Sequence, residues 1–328
     1  MNDVWPALPF AEWKATCKTL HMWTQIVGKI RLALTPWINH SWHVTLYVTA
    51  RGLTTSPMYF GPRVLEIDFD FVNNELRITG GTTAVSSLNL QGRDSARPSI
   101  NRTIALAPKS VAAFYHEVMS ALRDLDFAVK INTTPNEVDP AIPFEKNESD
   151  ASYDPEAANR FWRVLLQSDR VFKEFRSEFC GKCSPVHFFW GSFDLAVTRF
   201  SGRRAPQHPG GVPHLPDAIT REAYSHEVSS LGLWPGNAMM PEPIFYSYAY
   251  PAPAGFAEAK VKPAVASYNA QLKEFVLPYE KMRESDSPDA ALLDFARSTY
   301  DVASTLGDWD RAALAEVKPH LHSRPHRR

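Results

Sequence analysis

The chain has 328 residues, 44% of them hydrophobic and 22% charged, with a formal net charge of −1. That length allows one large domain or two of about 150 residues, and the near-zero charge argues against nucleic acid and anionic membrane as partners. No apolar run approaches the roughly 18 residues of a membrane helix, and three cysteines do not make a disulfide framework. The opening MNDVWPALPFAEW lacks the basic and apolar regions of a secretion signal, so the expected location is cytoplasmic.

The first predicted helix runs from about Pro9 to Leu34. Trp13, Cys17, Leu20, Trp23, Val27, Ile30 and Leu34 recur at threes and fours, and Thr35-Pro36 stops it. Strand-like segments follow at His43–Arg51, Glu66–Phe71, Glu75–Thr79 and Thr83–Leu90, then a helix from about Ser110 to Leu125. The Pro-, Asn- and acid-rich stretch 132–153 reads as a linker. Asp154 and Pro155 open a third helix, with Gly181 past its end. Strands are expected at Val186–Phe200, Tyr224–Ser229, Ile244–Tyr250 and Glu274–Leu277. Ser287-Pro288 opens a fourth helix that closes at Leu306-Gly307. Helix, strands, helix therefore occurs twice. The fold expected is α+β, with two related lobes (1–131 and 154–310) of antiparallel strands between helices. Residues 311–328 are a basic tail, expected to be disordered.

Internal duplication is suggested by a second echo. Ile38–Arg51 laid without a gap over Val186–Arg199 puts Trp42 on Trp190 and Arg51 on Arg199. A chain that builds one corner twice is expected to hold a pocket between the copies. On the first corner His43, Thr45, Tyr47, Thr49 and Arg51 share one strand face, beside Glu66, Asp68 and Asp70 of the next strand. On the second corner Arg199 has the parity of the apolar residues Leu195 and Val197, which requires either a bulge or a slipped overlay. Asp194 falls with Ser192, Ala196 and Thr198, a small-residue face that a ligand can approach.

The histidines are the next candidates. His40 and His43, with His187 and His226 downstream, are residue types that bind zinc or iron, so a divalent metal is the candidate cofactor. The competing reading is hydrogen-bonded core or loop histidines. His187, His226, Glu227 and Asp194 are the candidate catalytic set, the last two orienting a histidine or completing a metal site. Arg51, Arg199, Arg203 and Trp190 are the candidate ligand contacts. Phe200–Asp217 carries Gly210-Gly211 and reads as a loop suited to form a lid. Cys180-Gly-Lys-Cys183 follows a helix end, where the dipole disfavours a thiolate.

Nearly the whole chain resembles a bacterial family known only as domain of unknown function 5996. The motifs are HMWTQIVGKIRLAL (His21–Leu34), HVTLYVTARGLTTSP (His43–Pro57), EIDFDF (Glu66–Phe71), YDPEAANRFWRVL (Tyr153–Leu165), SPVHFFWGSFDLAVTRFSGRRAP (Ser184–Pro206) and YSHEVSS (Tyr224–Ser230). The resemblance implies a shared architecture and no activity. The expected function is an enzyme acting on a small anionic metabolite between the lobes, with or without a metal. Two alternatives stand beside it: a non-catalytic binder of a small molecule, metal or haem, and an assembly protein without a small-molecule site.

Overall fold

The structure is a computed structural model that describes residues 4–82 and 100–315. The predicted strand Thr83–Leu90 and the basic tail beyond 315 lie outside the described residues. Helix α1 (Phe10–Leu34) buries its predicted stripe, Trp13, Cys17, Leu20, Trp23, Val27 and Ile30. It also buries a second, polar row at helical spacing, comprising Gln25 and Lys29 with His21 half-buried above them. A helix hidden on two sides is an internal element, and α1 packs against the helices at Val111–Asp124 and Pro155–Ser177.

Short strands β1 (Tyr47–Val48), β2 (Gly52–Thr54) and β3 (Met58–Phe60) lead into the longer β4 (Arg63–Asp70), β5 (Glu75–Thr82) and β6 (Ile100–Ala105). They form an antiparallel sheet in the order β1-β2-β4-β5-β6, with β3 also on β4. Helix α2 (Val111–Asp124) follows, its first turn capped by Ser110 Oγ accepting from the Ala113 N–H at 3.1 Å.

Helix α3 (Pro155–Ser177) is capped by Asp154, whose carboxylate accepts from Glu156 and Ala157. It leads to β7 (His187–Phe189), β8 (Asp194–Arg204), α4 (Asp217–Ala223), β9 (His226–Trp234), β10 (Ile244–Tyr250), β11 (Ser267–Asn269) and β12 (Glu274–Pro278). These strands make a second antiparallel sheet, β7-β8-β9-β10-β12-β11. Helices α5 (Tyr279–Arg283), α6 (Pro288–Leu306) and α7 (Arg311–Leu314) close the chain. No described helix is long and apolar enough to cross a membrane.

The fold is therefore α+β with two antiparallel sheets, each preceded and followed by helices, and α4 interrupts the second run of strands. The gapless overlay is not what the backbone follows. Arg51 sits in the turn before β2, whereas Arg199 lies inside β8. The segments instead meet edge to edge. The Leu46 N–H donates to the Phe188 carbonyl at 2.9 Å and the Phe188 N–H to that of Leu46 at 2.7 Å. One hydrophobic cluster runs through both halves: Trp23 stacks on Phe114 at 4.5 Å, and Trp5 packs on Phe245 and Tyr279 of the second half. Gly181 does not end α3, which stops at Ser177; an added Cβ there would sit 2.4 Å from Leu314.

Candidate functional site

Strand β8 alternates as its pleat requires. Leu195, Val197 and Arg199 face one way, with the Arg199 guanidinium 3.5 Å from the centre of the Phe175 ring on α3. Asp194, Ala196, Thr198 and Phe200 face the other way, into a cavity of about 640 Å³. The neighbouring strands continue that floor with Val228, Ser230 and Trp234 from β9, Tyr246 and Tyr248 from β10, and Glu274 from β12. Arg199 thus takes its apolar parity without a bulge before it; the ladder irregularity comes later, between Phe200 and Arg204.

Register explains how the floor is wired. Ala196, Gly232 and Tyr246 lie side by side on three strands. Gly232 leaves its space empty: a Cβ there would fall 2.2 Å from the Tyr246 ring. Tyr246 therefore lies over the middle strand, and its hydroxyl donates to Asp194 Oδ2. Ser192 Oγ donates to the other oxygen of that carboxylate at 2.6 Å. One row along, the Thr198 and Ser230 hydroxyls are 2.9 Å apart, and those of Tyr248 and Tyr224 2.8 Å.

The walls come from α1 and the segment after it, from residues 132–137 and from the turn between β7 and β8. On α1, the polar row reaches across to Thr134 and Asn136. Gln25 bonds the Asn136 backbone at both ends of its amide, each at 2.8 Å. Lys29 Nζ donates to the Thr134 carbonyl at 2.8 Å and to Asn136 Oδ1 at 2.6 Å. These bonds hold Glu137, in left-handed backbone at φ 57°, against Gly191, where any Cβ would meet its carboxylate at 2.4 Å. Trp37, Trp42 and Trp190 add aromatic wall, with Trp190 fixed by its indole N–H to the Val44 carbonyl at 2.7 Å. The roof is the segment from Val212 to Tyr224, including α4. It is tied down by Asn136 Nδ2 on the His214 carbonyl and by the Glu222 carboxylate, which accepts the His40 N–H at 2.8 and 3.0 Å.

Three carboxyls share this space. Burial raises Asp194, which is only 6% exposed. Burial and the nearby Asp194 charge raise Glu137 and Glu274 to about 7 each. Glu137 is itself exposed, so contact with solvent weakens the burial effect there and Glu274 carries it more firmly. Burial also lowers Lys29 to about 8.

Of the residues singled out from sequence, Asp194, Trp190 and His40 line the cavity. The four histidines do not converge on a metal. His40 donates from Nδ1 to the Ala223 carbonyl and accepts at Nε2 from Lys182, 2.6 Å away. His43 bonds the Ile38 backbone under Trp37. His187 is fully buried beside the Thr45 hydroxyl, its Nε2 unpartnered, and burial with the Arg31 charge pushes it down to about 3. His226 lies 5.9 Å from the His40 ring. Among the described residues no group of three or more His, Cys, Asp or Glu is placed to hold a metal ion.

The arginines and Glu227 also face elsewhere. Arg51 pairs with Asp70 at 2.7 Å and Arg77 joins the same carboxylate, so the basic and acidic faces expected at this corner do meet, away from the cavity. Burial alone would raise Asp70, but the Arg51 bond, two backbone N–H groups and Arg77 hold it below its usual range. Arg203 pairs with Glu227 and caps the Gly307 and Asp308 carbonyls. Arg199 borders a separate polar hollow with Arg297 and Arg311, which pair with Glu178 and Asp301. Cys17, Cys180 and Cys183 are free thiols, and burial pushes Cys183 up to about 11.

The residues that sequence reasoning missed are Glu137, Glu274, Lys29 and the tyrosines. Lys29 had a signal, a polar row at His21, Gln25 and Lys29 on an otherwise apolar helix. Tyr246 and Tyr248 had the alternation of YSYAY. Glu137 had none, because its place depends on distant hydrogen bonds.

Residues 5–99 and 95–316 match the model of a family of unknown function, DUF5996. The chain belongs to this family. All cavity elements of this DUF5996 chain fall within the matched stretches. Neither curated proteins nor solved structures yielded a match.

Proposed function

We propose that this protein is an enzyme that holds a small, largely apolar molecule in the cavity and works on it by acid–base catalysis at Asp194, Glu137 and Glu274. The observation that carries this reading is three carboxyls opening onto one aromatic-walled space, Glu137 and Glu274 raised to about 7 and Asp194 raised by its burial. Groups whose surroundings push their proton affinities toward the working pH are suited to that role. Among the described residues no arginine lines the space, so an apolar or carbonyl-bearing substrate fits better than the anionic metabolite expected from sequence. A substrate-sized volume of several hundred cubic ångströms with few convergent polar groups is the usual form of such sites.

The test uses Nile red as a neutral, environment-sensitive probe. It should bind saturably, one per chain, and Ala196→Leu, which fills the floor, should weaken binding at least tenfold. Unchanged binding in that variant rejects the cavity as the site. For any substrate the cavity turns over, Asp194→Asn should lower kcat by about 10²–10⁴-fold while Nile red still binds. Unchanged kcat would leave the second reading, a binder without chemistry, which the four tryptophans around the space favour.

A further inference from the structure

Lys29 is the one lysine or arginine that lines the cavity among the described residues, and it is only 5% exposed. Lysine is almost never buried to that degree without an acidic partner. Here its two hydrogen-bond partners are neutral, the Thr134 carbonyl and the Asn136 amide oxygen. An ammonium in that setting is left with a proton and a charge unmatched. A neutral amine places one N–H on each acceptor and keeps its lone pair free. The Trp190 and Phe144 rings lie 5.9 and 6.0 Å from Nζ, at the outer limit of a cation–π contact, so they offset little of an ammonium charge. One of the cavity acids neighbours a Lys29 partner in the chain: Glu137 follows Asn136 and rests on Gly191, the neighbour of Trp190.

We propose that Lys29 is a nucleophile that captures a small carbonyl compound in the cavity as an imine, with Glu137 as its proton shuttle. The amine lone pair forms a bond to the carbonyl carbon, and the C=O π pair moves to oxygen, which takes a proton from Glu137. The nitrogen of the resulting carbinolamine gives a proton back to the Glu137 carboxylate. Glu137 gives that proton to the carbinolamine oxygen a second time, water leaves as the C=N bond forms, and the iminium returns the proton to the Glu137 carboxylate. Amine and carbonyl become imine and water, with no oxidant or reductant. Burial of Lys29 supports the first step, since an amine lowered to about 8 is about one-tenth neutral at pH 7.

This inference rests on the cavity being a small-molecule site, and the test separates the two. The full chain is incubated with 4-hydroxybenzaldehyde and cyanoborohydride at pH 7.5, which reduces an imine to a stable amine. Intact mass and peptide mapping then locate the adduct. One adduct per chain should form on Lys29, at least tenfold faster than on exposed lysines such as Lys14 and Lys18. Ala196→Leu should suppress it, and Glu137→Gln should slow it about tenfold. Adducts spread over surface lysines overturn the proposal, and so does a Lys29 adduct indifferent to Ala196→Leu. Because the wild-type map is decisive, the result does not depend on Lys29→Met folding. If Nile red binds and Lys29 stays unmodified, the imine falls and the cavity reading stands.

Discussion

At Gly28 an added Cβ would lie 2.2 Å from the Trp190 ring, which is itself pinned to Val44. Gly28→Ala gains helix propensity of about 1 kcal/mol but forces a packed indole to move, a type of overpacking that costs about 1–3 kcal/mol. The net result should be lower stability in urea titrations together with weaker Nile red binding, because the displaced ring is a cavity wall. Arg199 calls for the opposite pattern. Its guanidinium lies between Phe175 and Tyr300, with a bond to the Phe175 carbonyl. Arg199→Ala should destabilise the fold by about 2 kcal/mol or more and leave Nile red affinity unchanged. His187 is a third case. Its folded pKa of about 3 lies below the unfolded value of about 6.5, so on acidification the unfolded chain takes up the proton first. Its contribution is complete above pH 6.5 and is lost as the pH falls toward 3. From pH 7 to pH 5 wild type should lose about 2 kcal/mol relative to His187→Leu, read by urea titration of both. Glu137 and Glu274 titrate with the opposite sign in the same region, which is why the difference between the two proteins isolates His187. The burial of His187 was legible in its apolar-aromatic run; its lack of a second partner was not, because that depends on which strand lies opposite.

The elements themselves were largely legible, since periodicity and punctuation are local. Asp154-Pro155 starts a helix as its chemistry dictates. Ser287-Pro288 looks the same in sequence, yet the Ser287 side chain makes no capping bond. Asp154→Ala should therefore cost about 1 kcal/mol, whereas Ser287→Ala should stay within about 0.5 kcal/mol, both measured by chemical denaturation. The small-residue face of β8 was also readable, since pleat parity alone places Asp194, Ala196 and Thr198 together. The reach of Tyr246 across Gly232 was not, because it requires the register of three strands separated by a long roof segment. The predicted His43–Arg51 strand shortened for a related reason. Its pairing partners end at Val48, and Thr49 Oγ1 accepts from the Arg51 and Gly52 N–H groups to make a turn.

At the scale of the whole molecule, the two halves are not separate bodies with a gap between them. A shared hydrophobic cluster and the Leu46–Phe188 pair make them one unit, and the N-terminal Trp5 packs on the second sheet. Native-state hydrogen exchange should show it: the Leu46 and Phe188 amides should exchange as slowly as the centre of β8 and β9. Amides from Val212 to Tyr224 should exchange much faster, since few of them join a ladder. Equal rates across both regions would contradict this picture. If the cavity takes a ligand as proposed, the seam decides its way in. Spreading the halves apart would break paired main-chain bonds and expose the common interior, whereas lifting the roof breaks mainly side-chain bonds, those of Glu222 and Ala223 to His40, of Asn136 to the His214 carbonyl and of Tyr224 to Tyr248. If the cavity holds a ligand as proposed, the vessel should open at its lid rather than along its spine, with the residence time set by those side-chain clasps.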